Sequence, residues 1–360
     1  MANIYYKLDD NDNSICYYCN EQKEGYVERP LGFYQPLNAV TKEYILELTN
    51  GVFEFREDSS HLFEGSKNVT FNDTDKWDFS AVTNADYLFY DCQKLTSIDA
   101  STWDTSNLTS AMFMFGSCYE LLSLDLSNWD TSSITTMKGM FQNCRLMESL
   151  NLNGWDTSNV TSMQSMFYNC YTIQSLEGTG IKYFDVSNVE DMSMMFRECD
   201  ALQKVDLSLW EAPKLMTCVG IFSSCDAIRE VYLGALNPNN QSSNCNFTEA
   251  FAYSYNLTMV DLSGYQDLRG GTYTSMFSGC RNLVNVYVPA GSDWSLKSSQ
   301  GNNMFANCTH IYNWSGGTGI WMANNTKENG YFGTERPATW TLFEVWIKEN
   351  GVWYPTEVYK

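Results

Sequence analysis

The sequence predicts a leucine-rich-repeat solenoid: an α/β repeat of about nine 26–29-residue units with a parallel strand ladder, short helices and β-hairpin end pieces. Three observations carry that expectation. Phenylalanine returns at Phe89, Phe115, Phe141, Phe167, Phe196, Phe222, Phe251, Phe277 and Phe305, at intervals of 26 to 29 residues. Three residues after each stands a cysteine, at Cys92, Cys118, Cys144, Cys170, Cys199, Cys225, Cys280 and Cys308, with Ser254 in the seventh copy. Leucine-type segments recur on the same beat, and a fixed period of this length marks units that bury their apolar faces against their neighbours.

Each element of the unit follows from its spacing. Met137, Met140, Phe141 and Cys144 fall at i, i+3, i+4 and i+7, which predicts one face of a short helix, and Met163, Met166, Phe167 and Cys170 repeat it. Asp130-Thr131-Ser132 and Asp156-Thr157-Ser158 supply oxygens that can cap the amides opening such a helix. Met147, Leu150 and Leu152 alternate as a short strand does. Parallel stacking of these strands would rise about 4.8 Å per unit. Two apolar columns then close the core, one through Leu95, Leu121, Met147 and their equivalents, the other through Ile98, Leu124, Leu150 and theirs. A cysteine that serine can replace in such a column reads as a small buried space-filler.

The segments LDLSNWDTSSITTMKGMFQNC (124–144) and LNLNGWDTSNVTSMQSMFYNC (150–170) resemble the repeats of BspA-type bacterial surface proteins, in the variant with a WDTSxVTxM…MFxxC consensus that mycoplasma lipoproteins share. The resemblance covers about residues 75–315. It implies a leucine-rich-repeat fold and a role in adhesion or surface display. Residues 176–184 and 234–250 depart from the pattern, the first by an insertion and the second by an irregular, asparagine-rich stretch.

The ends read differently. Residues 1–70 form an expected N-terminal β-rich cap or attachment region, 71–318 the solenoid, and 319–360 a C-terminal β-hairpin cap or attachment region. Asn50-Gly51 within 43–55 and Asn350-Gly351 near the C-terminus each predict a hairpin. The first ten residues carry no basic-then-apolar pattern of a secretory signal, and no apolar run reaches the roughly 18 residues of a transmembrane helix.

Charge bounds the partners. With 43 acidic against 22 basic residues the formal net charge is −21, which opposes nucleic acid and anionic membranes. The expected partner is an extracellular protein or glycan, or a neighbouring structural protein in a larger assembly. Cys16 and Cys19 form a lone CxxC without a second pair, and the chain has two histidines, His61 and His310, so a zinc set is not expected. Trp77, Trp103, Trp129 and Trp155, followed by Phe184 and Trp210, hold one position in each layer, which favours corner packing over sugar stacking. Beside them Asp78, Asp104, Asp130, Asp156 and Asp185 would stack about 5 Å apart. Their repulsion calls either for capping roles or for interleaved Ca²⁺, and capping is the favoured reading; no cofactor is otherwise expected.

Function then falls to the strand face. Between the inward residues of each strand stands an outward one: Asp99, Asp125, Asn151, Glu177, Asp206, Tyr232, Asp261 and Tyr287. These eight are the candidate ligand-binding row, and an acid–tyrosine mixture predicts a cationic or sugar-bearing partner. No nucleophile elbow, phosphate loop or HExxH motif occurs, so a non-enzymatic binding or display module on a bacterial cell surface is expected. The missing signal and the tryptophan-bearing tail hairpin support a second reading, a phage virion or fibre-like component on the particle exterior. A carbohydrate-active enzyme is a remote third, since two carboxylates suffice for one.

Overall fold

In the computed structural model the chain is described at residues 4–8, 15–28, 43–47, 51–66, 71, 74–236, 245–262, 264, 271–287, 303–310, 332–333, 344–349 and 352–357. Between Phe53 and Cys308 the described residues wind as a series of stacked coils, joined to their neighbours by parallel contacts. The expected solenoid is present. Its strands are short: β5 (Phe53–Glu54) pairs with β6 (Trp77–Asp78), and β7 (Ser123–Asp125) with β8 (Ser149–Asn151). A five-stranded parallel sheet follows, in the order β13-β12-β11-β10-β9, from β9 (Lys204–Ala212), β10 (Glu230–Leu236), β11 (Met259–Asp261), β12 (Asn285–Tyr287) and β13 (Phe332–Gly333). On another side a chain of single parallel bridges runs from Asp58 through Asn84, Ser110, Thr136, Ser162, Asp191, Thr217 and Asn246 to Thr272.

The expected short helices are not what fills the segments before the cysteines; two 3₁₀ turns, Thr74–Lys76 and Ile181–Tyr183, are the described helical elements. Two positions per coil, four residues apart, hold positive φ: Phe113 and Ser117, Gly139 and Asn143, Ser165 and Asn169. An α-helix of L-residues does not accommodate that hand. Alternate amides instead serve two directions. Phe113, Phe115 and Ser117 donate to the carbonyls of Lys138, Met140 and Gln142 in the next coil, while Met114, Gly116 and Cys118 donate three residues back. Successive tight turns therefore also point Met137, Met140, Phe141 and Cys144 inward, and all four are fully buried. The 3.6-residue spacing and this turn series give the same inward set, which is why the pattern reads as a helix.

The phenylalanine column is continuous and begins one coil earlier than the sequence count, at Phe63. Neighbouring rings from Phe63 to Phe305 lie 5.0–6.0 Å apart and within 21° of parallel. The cysteine column is more than a space-filler. Cys144 Sγ donates to the Phe115 carbonyl at 3.2 Å, a carbonyl that also accepts the Cys118 amide at 3.3 Å. The same thiol bond recurs from Cys92 to Cys308, and Ser254 Oγ makes it to Phe222 at 2.7 Å. Both lone pairs of a buried carbonyl are thereby satisfied. The tryptophans occupy the corner, as expected: the Nε1 of Trp129, Trp155 and Trp210 donates to the carbonyls of Ala100, Leu126 and Ile181 in the preceding coil.

The N-terminal residues form a separate mixed sheet, in the order β3-β1-β2-β4, from β1 (Tyr5–Leu8), β2 (Ile15–Cys19), β3 (Val27–Glu28) and β4 (Glu43–Glu47). The hairpin expected across Asn50-Gly51 does not form. β4 pairs with β2 and β5 pairs with β6, because Phe53 and Phe55 turn into the solenoid core as its first layer. Cys16 and Cys19 are buried on β2, three residues apart and so on opposite faces of the strand. At the other end β14 (Glu344–Glu349) and β15 (Val352–Glu357) pair antiparallel around Asn350-Gly351, as expected. Among the described residues no helix is long and apolar enough to cross a membrane.

Candidate functional site

The strand face is built by Asx turns. Asp99 Oδ1 accepts the Ser101 amide at 3.0 Å, and Asp125 Oδ1 accepts the Ser127 amide at 3.0 Å and its hydroxyl at 2.7 Å. Asn151 repeats the turn to Asn153, and Asp206 to Ser208. Side chains that fold back on their own amides explain why Asp, Asn and Ser recur here. One oxygen of each of these carboxylates is thus committed to the turn, and the second oxygen of Asp206 takes the Lys182 ammonium. Hydrogen bonds from Ser101 and Ser127 hold Asp99 and Asp125 below the usual carboxylate range. At Asp206 burial raises the pKa, but bonds from Lys182 and Ser208 outweigh it and the net shift is downward. Asp99, Asp125 and Asp206 are therefore ionised at neutral pH, with Asp206 paired to Lys182.

Of the eight residues in the row, Asp99, Asp125 and Glu177 are exposed, and Asn151, Asp206 and Tyr232 are half-buried. Asp261 and Tyr287 continue the row by register, Tyr232 beside Asp261 and Asp261 beside Tyr287, but are covered, at 5% and 8% exposure, and so are not open to a partner as Asp99 and Asp125 are. Strand pairing brings Asp125 beside Asn151, and Asp206 beside Tyr232. Lys182 forms an ion pair with Asp206, and Lys204 Nζ lies 5.2 Å over the Tyr232 ring, whose hydroxyl donates to Glu230 at 2.9 Å.

The second acidic column, from Asp78 to Asp185, also consists of turn caps: Asp104, Asp130, Asp156 and Asp185 accept the amides of Ser106, Ser132, Ser158 and Ser187 at 2.9–3.1 Å. The capping expectation holds, with tight turns in place of helices. Among the described residues no three His, Cys, Asp or Glu side chains converge as a metal set.

Sequence reasoning missed a cleft of about 670 Å³ that opens on the strand side between the coils at 148–150 and 171–179. Glu148, Ser149, Tyr171, Gln174, Ser175 and Glu177 are among its walls. Beside it Arg145 is held between Tyr119 and Tyr171, its guanidinium 4.5 and 5.7 Å from the two rings, and Leu122 and Leu146 are each 44% exposed. The signal was the 29-residue interval from Phe167 to Phe196, which marks the inserted turn at 176–184. There Gly180 sits at φ 91, where a Cβ would meet the Leu152 carbonyl at 2.7 Å.

Two overlapping stretches, residues 57–178 and 147–258, match the family described as Mycoplasma protein of unknown function, DUF285. Together they span 57–258, more than half of the 360 residues. The chain belongs to the DUF285 family. No curated protein matches it. The DUF285 stretch contains the exposed part of the acidic row, from Asp99 to Tyr232, and the whole cleft, whereas Asp261 and Tyr287 lie beyond it.

Proposed function

We propose that the chain is a non-enzymatic binding module, displayed on the outside of a bacterial cell, whose acidic strand face takes a partner carrying positive charge. The observation that supports it is the row Asp99, Asp125 and Glu177, all three exposed, continued by the half-buried Asp206 in its pair with Lys182; Asp99, Asp125 and Asp206 are held below the usual range. The resemblance to BspA-type surface proteins supports the display half. A row of fixed anions steers cationic partners and is weakened by salt. Protein and glycan arrays probed with the full chain at low salt and with Ca²⁺ test this reading. Binding that falls at high salt, and in the Asp99→Asn/Asp125→Asn/Asp206→Asn variant, is expected. Asparagine keeps the Asx turn, as Asn151 does, so that variant removes charge without the fold. Absence of binding, or binding indifferent to both salt and variant, overturns the proposal.

A further inference from the structure

Among the described residues one junction on the strand side lacks both of the backbone bonds that join regular coils there. In regular coils the residue seven after the phenylalanine donates its amide to the preceding coil: Glu148 to Leu122 at 2.8 Å, Gln203 to Gln174 at 3.2 Å, Arg229 to Gln203 at 2.9 Å. The residue two earlier does the same, Leu146 to Tyr119 and Ala201 to Tyr171. Between the coils at 145–151 and 171–177 neither backbone bond is made among the described residues. The Thr172 hydroxyl takes the carbonyls of Arg145 and Met147 instead, at 3.1 and 2.8 Å, and holds the two coils together below the opening. β8 consequently pairs on its β7 side alone, and the sheet resumes at Ser175 with Lys204. The parting is the cleft described above.

We infer that this cleft receives an extended, lysine- or arginine-bearing peptide segment of a partner protein, which pairs its main chain with the open lips of the interrupted sheet. An unpaired strand edge is a template for main-chain hydrogen bonding, so its natural occupant is another extended backbone rather than a sugar. The lips offer both kinds of group, carbonyls from the Glu148 side and amides from Gln174 and Ser175. Charge selects among peptides: Glu148 and Glu177 line the cleft, no lysine or arginine does, and the chain as a whole carries −21. The inference rests on the proposed binding of cationic partners by the strand side.

A random decapeptide library displayed on phage, panned on the full chain against a Glu148→Lys/Glu177→Lys counter-target, tests it. Both positions are exposed, so the variant is expected to fold as the parent does. The expected result is enrichment of lysine- or arginine-containing peptides whose synthetic copies bind the variant at least tenfold more weakly. Those copies should also protect the amides of 148–151 and 173–176 from hydrogen exchange and lose binding when their alternate amides are N-methylated. No enrichment over the counter-target, protection elsewhere, or unchanged binding by the N-methylated copy overturns it. Intact salt-sensitive binding that the Asp99→Asn/Asp125→Asn/Asp206→Asn variant abolishes, with no protection in the cleft, would leave the proposed function standing and this inference refuted.

Discussion

At the scale of single residues the cysteine column shows how much a repeat position can hide. Sequence displays it as a small residue that serine can replace, and the buried thiol pKa values agree with an inert role: burial pushes Cys170 up to about 12. What sequence does not display is the acceptor, the phenylalanine carbonyl of the preceding coil, because that partner lies 29 residues away in most layers. Serine and cysteine can both donate to it and alanine cannot. Cys144→Ala should therefore lower stability by about 1–2 kcal/mol, from the lost bond and the small void, while Cys144→Ser should lose less than half of that. Denaturant unfolding of the two variants checks the order, and a serine variant as damaged as alanine would contradict the hydrogen-bond account. Iodoacetamide at pH 8 should leave the cysteines from Cys92 to Cys308 unmodified until denaturant is added, since the thiolate is the reactive species.

At the scale of the element, the unit that matters is the run of turns before each cysteine. The repeat period made the solenoid legible, and the leucine alternation made the strand columns legible. The turn run was not, because residues with positive φ are here Phe, Ser, Met and Glu as often as Gly or Asn, and nothing in their identity announces the conformation. Gly139 is the exception. It holds φ 60 and an added Cβ would lie 2.2 Å from the Phe113 ring, which caps a stack through Tyr87 to His61. Gly139→Ala should cost about 2–4 kcal/mol, and in a Phe113→Ala background about 1 kcal/mol, the backbone part alone. Equal losses in both backgrounds would mean that the ring is not the obstacle.

The turn caps also set a pH profile. Asp99, Asp104, Asp125, Asp130 and Asp156 have folded-state pKa values held below 3.8 by serine hydrogen bonds, so their contribution is present above that value and is lost as pH falls below it. Asp200 runs the other way: burial first, then Asp226 and Glu198, raise it to about 6 from 3.8. Its protonated form favours the fold, so that stabilisation is complete below 3.8 and disappears as pH rises through about 6. Thermal melts should therefore peak between about pH 4 and 6. Asp200→Asn should raise Tm at pH 7.5 by about 1–2 °C and leave it unchanged at pH 4, a modest shift because the group is largely solvated. A rise of equal size at both pH values would remove the repulsion from the explanation.

For the whole molecule, the stacked columns make the solenoid body nearly one-dimensional: phenylalanine rings, thiol bonds, indole bonds and asparagine side-chain bonds all link a coil to its immediate neighbours. Stability in such an array is close to a sum of coil and interface contributions. Removing one full period should then preserve every column. Deleting residues 103–128 joins Thr102 to Trp129, which restores the tryptophan, cysteine and strand positions in register and places Tyr87 where Phe113 lay over Gly139. The shortened chain should unfold cooperatively, with an enthalpy lower by about 18 kcal/mol at about 0.7 kcal/mol per residue. Deleting residues 103–115 removes half a period and leaves one coil unable to meet its neighbours in register, while the coils beyond it still match one another. It should lower Tm well below that of the full-period deletion and separate the transitions of the two flanking stacks in calorimetry. If both deletions unfold alike, neighbouring coils are not the unit of stability, and the cleft between 145–151 and 171–177 would lose its meaning as a break in an otherwise continuous stack.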